Sequence, residues 1–146
     1  MDVTCEIVIH RPREVVAAYA ENPSNDCEWI GGIKEARALS HPAVGEGARV
    51  ERIARFLGRR IAYVLETTEY EPNVLIAMQS VQGPFRMRVT YRFEDTVDGT
   101  RFSIRNEGGS GIALRLGAPL MSKALRRNVN GDLRRLKDLL ESDGAG

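Results

Sequence analysis

Residues 85–94 read FRMRVTYRFE. Phe85, Met87, Val89, Tyr91 and Phe93 share one parity; Arg86, Arg88, Thr90, Arg92 and Glu94 share the other. Successive side chains of a strand point to opposite faces, so this stretch is a strand with one dry face and one wet face. Burial is expected for the five apolar residues and exposure for Arg86, Arg88 and Arg92. A sheet solvated on one side only is of the antiparallel kind. Just beyond, Asp98-Gly99 is a hairpin signal, and Phe102 and Ile104 then alternate with Arg101, Ser103 and Arg105.

Upstream, turn residues cut the chain into further strands. Residues 33–40, 48–57, 60–70 and 74–81 are expected to be strands, separated by the loop 41–47, by Gly58-Arg59 and by Glu71-Pro72-Asn73. Gly83-Pro84 closes the last of them. The alternation in 48–81 is not clean, so the faces of those strands stay unassigned. Near the N-terminus, Val3, Cys5, Ile7 and Ile9 alternate with Thr4, Glu6 and Val8, a first strand. Pro12 suits the first turn of a helix with Val15, Val16 and Tyr19 on its apolar side. Asn22-Pro23 reads as a cap followed by the first residue of a second short helix that ends near Trp29 and Gly31-Gly32.

The C-terminal segment changes period. Met121, Leu125, Val129, Leu133, Leu136 and Leu140 recur at steps of four or three, one face of a long helix. Pro119 either lies near its start or kinks it. The order is thus strand, two short helices, six strands, long helix. One apolar stripe cannot cover a flat sheet of seven strands, so the sheet must curl around the helix and leave a cavity. The fold class expected is α+β, with a seven-stranded curved antiparallel sheet wrapped around the C-terminal helix. Residues 1–141 form a single domain in this reading, and 142–146 a disordered tail.

Composition narrows the function classes. The net charge is +1, from 21 Lys plus Arg against 20 Asp plus Glu, which gives no case for nucleic acid as the main partner. No apolar run reaches the length of a membrane span, and the N-terminus lacks a signal pattern, so a cytoplasmic protein without integral membrane association is expected. Cys5 and Cys27 form no CxxC pair and are expected to be reduced. His10 and His41 have no metal-ligand spacing around them, so neither a metal site nor a cofactor is expected. Residues 108–111 read GGSG. They lack the Lys and the buried parallel strand of a phosphate loop and are expected to connect the last strand to the helix.

Several local motifs occur in a familiar order. They are Ile9-His10-Arg11-Pro12, Asn22-Pro23 leading to Glu28-Trp29, Gly45-Glu46-Gly47, and Phe56-Leu57-Gly58-Arg59. Then come Glu69-Tyr70-Glu71-Pro72, Gly99-Thr100-Arg101 and Leu133-Arg134-Arg135-Leu136-Lys137. In this order the chain resembles the START-like (SRPBCC) superfamily, the helix-grip or birch-pollen-allergen-like fold, and within it the polyketide cyclase/dehydrase branch. Asn22 stands where the family usually has Asp; Asn caps a helix equally well. The resemblance implies a cavity for a lipid, polyketide, sterol or similar apolar molecule. It implies no single reaction, and no catalytic motif carries over.

Within that cavity the proximal half of the last helix has small residues, Gly117, Ala118 and Ala124, and the adaptable Met121. The distal half is filled with large apolar residues. Unfilled volume is therefore expected at the proximal half. Met121 and Leu125 should line it together with Met87, Tyr91, Ile104 and Asn106, with Trp29 near the mouth. Asn106 is the polar group expected to orient a ligand; the alternative is a strand-end cap. Arg52, Tyr63 and Gln79 are weaker candidates. A buried Arg52 needs a carboxylate or an anionic ligand. Binding of a small apolar molecule is the leading functional reading. A cyclase or dehydratase using the same cavity, and an interaction module with a filled core, are the alternatives. The oligomeric state stays open.

Overall fold

β1 (Asp2–Ile9) is followed by α1 (Arg13–Glu21), a 3-10 turn (Pro23–Asn25) and α2 (Asp26–Trp29). Then come β2 (Ile33–Ala38), β3 (Arg49–Phe56), β4 (Arg59–Glu71), β5 (Leu75–Gln82), β6 (Met87–Asp95) and β7 (Thr100–Gly108), and finally α3 (Ile112–Gly144). The computed structural model describes residues 1–56, 58–84, 86–108 and 112–144, without the side chains of Phe56, 112–118 and 143–144. The seven strands form one sheet in the order β1-β7-β6-β5-β4-β3-β2, every pair antiparallel. This is the helix-grip architecture.

β1 and β2 lie at opposite edges, so residues 10–32 must cross from one edge to the other. They do so as helices on the concave side: α1 packs on β6 and β7, and α2 on β2 and α3. The Asn22 side chain accepts a hydrogen bond from the Ser24 N–H at 3.0 Å and starts the 3-10 turn, as its cap role requires.

The curl has a visible cause. β4 shifts register between Val64 and Leu65 and again between Thr67 and Glu69, and β2 shifts between Ile33 and Glu35. Such bulges bend a strand and increase its twist. They also explain why the alternation in 48–81 is unreadable, since Val64 and Leu65 are both buried, as are Ile76, Ala77 and Met78. β6 keeps the expected register. Val89, Tyr91 and Phe93 are buried, Met87 is half-buried, and Arg86 and Arg92 are exposed. Arg88 is half-buried rather than exposed, because it leans onto Glu69 in a 3.1 Å ion pair. Phe85 lies outside the described residues.

α3 does two jobs. Its stripe of Val129, Leu133, Leu136 and Leu140 is buried against the core. It also covers the free edge of β1, whose carbonyls would otherwise be open to another strand. Arg126 Nη1 donates to the Thr4 carbonyl at 3.0 Å, and Lys137 Nζ to the Val8 carbonyl at 2.6 Å. Pro119 stands inside the helix rather than at its start. The helix runs through Gly144, past residue 142 where a tail was expected; residues 145–146 lie outside the described residues. Cys5 is buried, Cys27 exposed, and both are free.

Candidate functional site

A charged cluster lies on the concave face. β3 turns Val50 and Arg52 inward, and Ala48 just before it is buried as well. Arg52 Nε donates to Asp26 Oδ2 at 2.9 Å, and both side chains are under one-tenth exposed. Tyr91 and Tyr63 both stand close enough to Arg52 to feel its charge. Burial alone would lower the guanidinium pKa. Asp26, Tyr91 and Tyr63 outweigh it and hold Arg52 well above its ordinary value, so it stays a cation. Burial pushes Tyr91 up to about 12, with Arg52 opposing, so the phenol keeps its proton at neutral pH. Burial also raises Asp26, against the pull of Arg52.

A cavity of about 30 Å³ lies against this cluster, lined by Glu21, Val44, Val50, Thr67, Ile76 and Met78 among others. Glu21 accepts from the Tyr70 hydroxyl at 3.1 Å, and burial raises its carboxyl.

Two further polar groups face the interior without a partner among the described residues. Asn106 Nδ2 and Trp29 Nε1 are both buried donors with no acceptor. Asn106 pairs across the sheet with Val89 on one side and Val3 on the other. Trp29 packs on Tyr91 at 5.9 Å and on Phe102 at 6.0 Å, and Phe93 stacks on Phe102 at 4.8 Å.

The sheet parts near Asn106. β5 and β6 pair only from Leu75↔Arg92 to Gln79↔Arg88. Beyond that point β5 stays with β4 and β6 with β7. A depression of about 670 Å³ opens there, lined by Ser80, Gln82, Gly83, Arg86, Met87 and Gly108 among others. The Met87 N–H reaches Ser80 Oγ at 3.0 Å across the gap.

Of the residues expected from the sequence, Tyr91, Ile104 and Asn106 share the concave face with Trp29. Met87 is half-buried at the parting of β5 and β6, and Met121 and Leu125 are half-buried on α3. Trp29 is not at a mouth; it is 1% exposed and central to the aromatic core. Ala124, expected to face the sheet, is exposed, because the inward stripe passes through 121, 125 and 129. Gln79 is exposed on the opposite face, and His10 and His41 are exposed. Gly117 and Ala118 have side chains outside the described residues.

Asp26 was not singled out in the sequence. The available signal was its spacing: Asp26 and Trp29 are three apart in one helical turn, so an inward Trp29 carries Asp26 inward with it. Among the described residues no cluster of His, Cys, Asp and Glu could hold a metal, and no helix is long and apolar enough to cross a membrane.

The comparisons agree with this architecture. The protein TTHA0849 of Thermus thermophilus superposes with a TM-score of 0.83 at 20% identity, over 98% of this chain and 99% of that one. The ZhuI aromatase/cyclase from Streptomyces sp. R1128 gives 0.78 at 13% identity, over 97% and 93%. The di-domain aromatase/cyclase StfQ from the steffimycin biosynthetic pathway gives 0.81 at 14% identity, over 99% of this chain and 52% of that one. Among curated proteins none matches significantly. At these identities the structures speak for the fold alone. The family model for polyketide cyclase/dehydrase and lipid transport proteins matches residues 1–141, and the chain belongs to that family.

Proposed function

We propose that the chain binds a small, mostly apolar molecule between the concave sheet face and the first half of α3. The observation that carries this reading is Asn106 Nδ2, a buried donor without an acceptor among the described residues, on an otherwise apolar row. An unsatisfied buried N–H is costly, and a ligand carbonyl or hydroxyl would satisfy it. Met87, Tyr91, Ile104, Met121 and Leu125 supply the apolar wall, and Trp29 its inner end. Membership of a family of polyketide cyclase/dehydrase and lipid transport proteins, and the aromatase/cyclases among the structural relatives, support the same reading.

A test places bulk on the inward stripe. Leu125→Trp is expected to abolish uptake of an apolar naphthylamine dye while the variant still melts cooperatively. Ala124→Trp, on the exposed side, should leave uptake unchanged. A folded Leu125→Trp variant that takes up dye like the parent would remove the site from this place.

A cyclase or dehydratase activity is the second reading, favoured by the Arg52–Tyr91 pair. A permanent cation beside a protonated phenol can stabilise negative charge developing on a carbonyl oxygen and then deliver a proton. Tyr91→Phe would then abolish turnover of a polyketide-like substrate without weakening its binding.

A further inference from the structure

The cavity beside Arg52 has about 30 Å³, room for one water and for no organic ligand. A ligand that reaches Arg52 must therefore displace a group already there. We infer that Arg52 and Tyr91 form an anchor for the acidic end of an apolar ligand, and that Asp26 is the resident carboxylate occupying the anchor when the ligand is absent. The inference rests on the ligand-binding reading above and adds the charge class of the ligand.

Three observations carry it. Arg52 has one charged partner among the described residues, the Asp26 carboxylate at 2.9 Å, and the neutral Tyr91 phenol stands close enough to feel its charge, so its site balances one anion. Exchanging one carboxylate for another keeps the buried guanidinium neutralised, whereas a neutral ligand would leave it unpaired. Asp26 sits at the first residue of α2, a single turn of four residues, whose far end is tied to α3 through Arg135 Nη1 donating to the Trp29 carbonyl at 2.7 Å. The anchored end can stay in place while the Asp26 end yields. Glu21, on the wall of the same cavity, disfavours a second negative charge, so a monoacid fits and a diacid does not.

Trp29 is the only tryptophan of the chain and lies 5.9 Å from Tyr91, so its fluorescence responds to changes beside this site. Calorimetric titration of the intact chain with decanoate and with decan-1-ol, read together with Trp29 emission, tests the inference. Decanoate should bind roughly tenfold or more tighter than the alcohol, as expected for a charge-assisted contact, and should change Trp29 emission. Asp26→Asn should tighten decanoate and leave the alcohol unchanged, and Arg52→Gln should erase the preference. Should either variant fail to fold, the two ligands on the parent chain still decide. Equal affinities of decanoate and decan-1-ol overturn the anchor and leave ligand binding intact. Binding of neither overturns both.

Discussion

The two halves of α3 are held very differently. From Val129 onward the inward residues Val129, Leu133, Leu136 and Leu140 are all buried. The same half is clasped by polar contacts: Lys137 to Val8, Arg135 to Trp29, Asp132 accepting from the Gly31 N–H at 2.9 Å, and Arg11 donating to the Leu140 carbonyl at 2.6 Å. Between Pro119 and Arg127 the inward residues Met121 and Leu125 are only half-buried, and Leu120 is 75% exposed. There, among the described residues, Arg126 ties the helix to β1, through its side chain on Thr4 and its carbonyl near Cys5. One helix thus combines a segment that secures the fold with a segment whose packing is incomplete. Regions of low local stability are where ligands enter.

The largest expected effect is at the tie between α2 and the sheet. Asp26→Ala leaves Arg52 buried without its partner and should cost about 3–5 kcal/mol in a urea melt. Next comes the contrast within α3. Leu133→Ala and Leu136→Ala should each cost about 2–5 kcal/mol, as fully buried leucines do. Losses under about 0.5 kcal/mol, the range of surface changes, would mean that the distal half does not pack on the sheet.

The Tyr91 phenol provides a pH test. Its folded pKa of about 12 exceeds its ordinary value of 10, so the folded state holds the proton longer than the unfolded one. The resulting stability is fully present below pH 10 and is lost as pH rises through about 12, a loss of about 2–3 kcal/mol. Tyr91→Phe should flatten that part of the curve; an unchanged alkaline loss would assign it elsewhere. At the proximal half, Leu125→Ala and Met121→Ala should cost only about 1 kcal/mol or less, since part of each side chain already meets solvent. Costs equal to those of Leu133 would erase the difference between the halves. Asn106→Leu should have the smallest effect on stability, near zero or slightly favourable, because it removes a buried donor that has no partner among the described residues. It should nevertheless weaken binding of the naphthylamine dye's carbonyl-bearing analogues.

Much of this was legible in the residues. The alternation from Val89 to Phe93 and the stripe from Val129 to Leu140 each bury one face, so the sequence pattern records them directly. The face of Arg52 was not legible, because the β4 bulges break the alternation of its neighbours and because an inward Arg needs a partner from a distant segment. Asp26 is that partner, and only the folded chain brings the two together across 26 positions. The register of α3 was readable where large residues mark it, at 133, 136 and 140. It was misjudged at Ala124, where a small residue fits either face.

The central claim is that the interior takes up a small molecule. Native mass spectrometry of the purified chain, before and after incubation with decanoate, tests it most directly. The account predicts a species heavier than the bare chain by one small molecule, lost on collisional activation and diminished in Leu125→Trp. The bare chain alone under both conditions would contradict it.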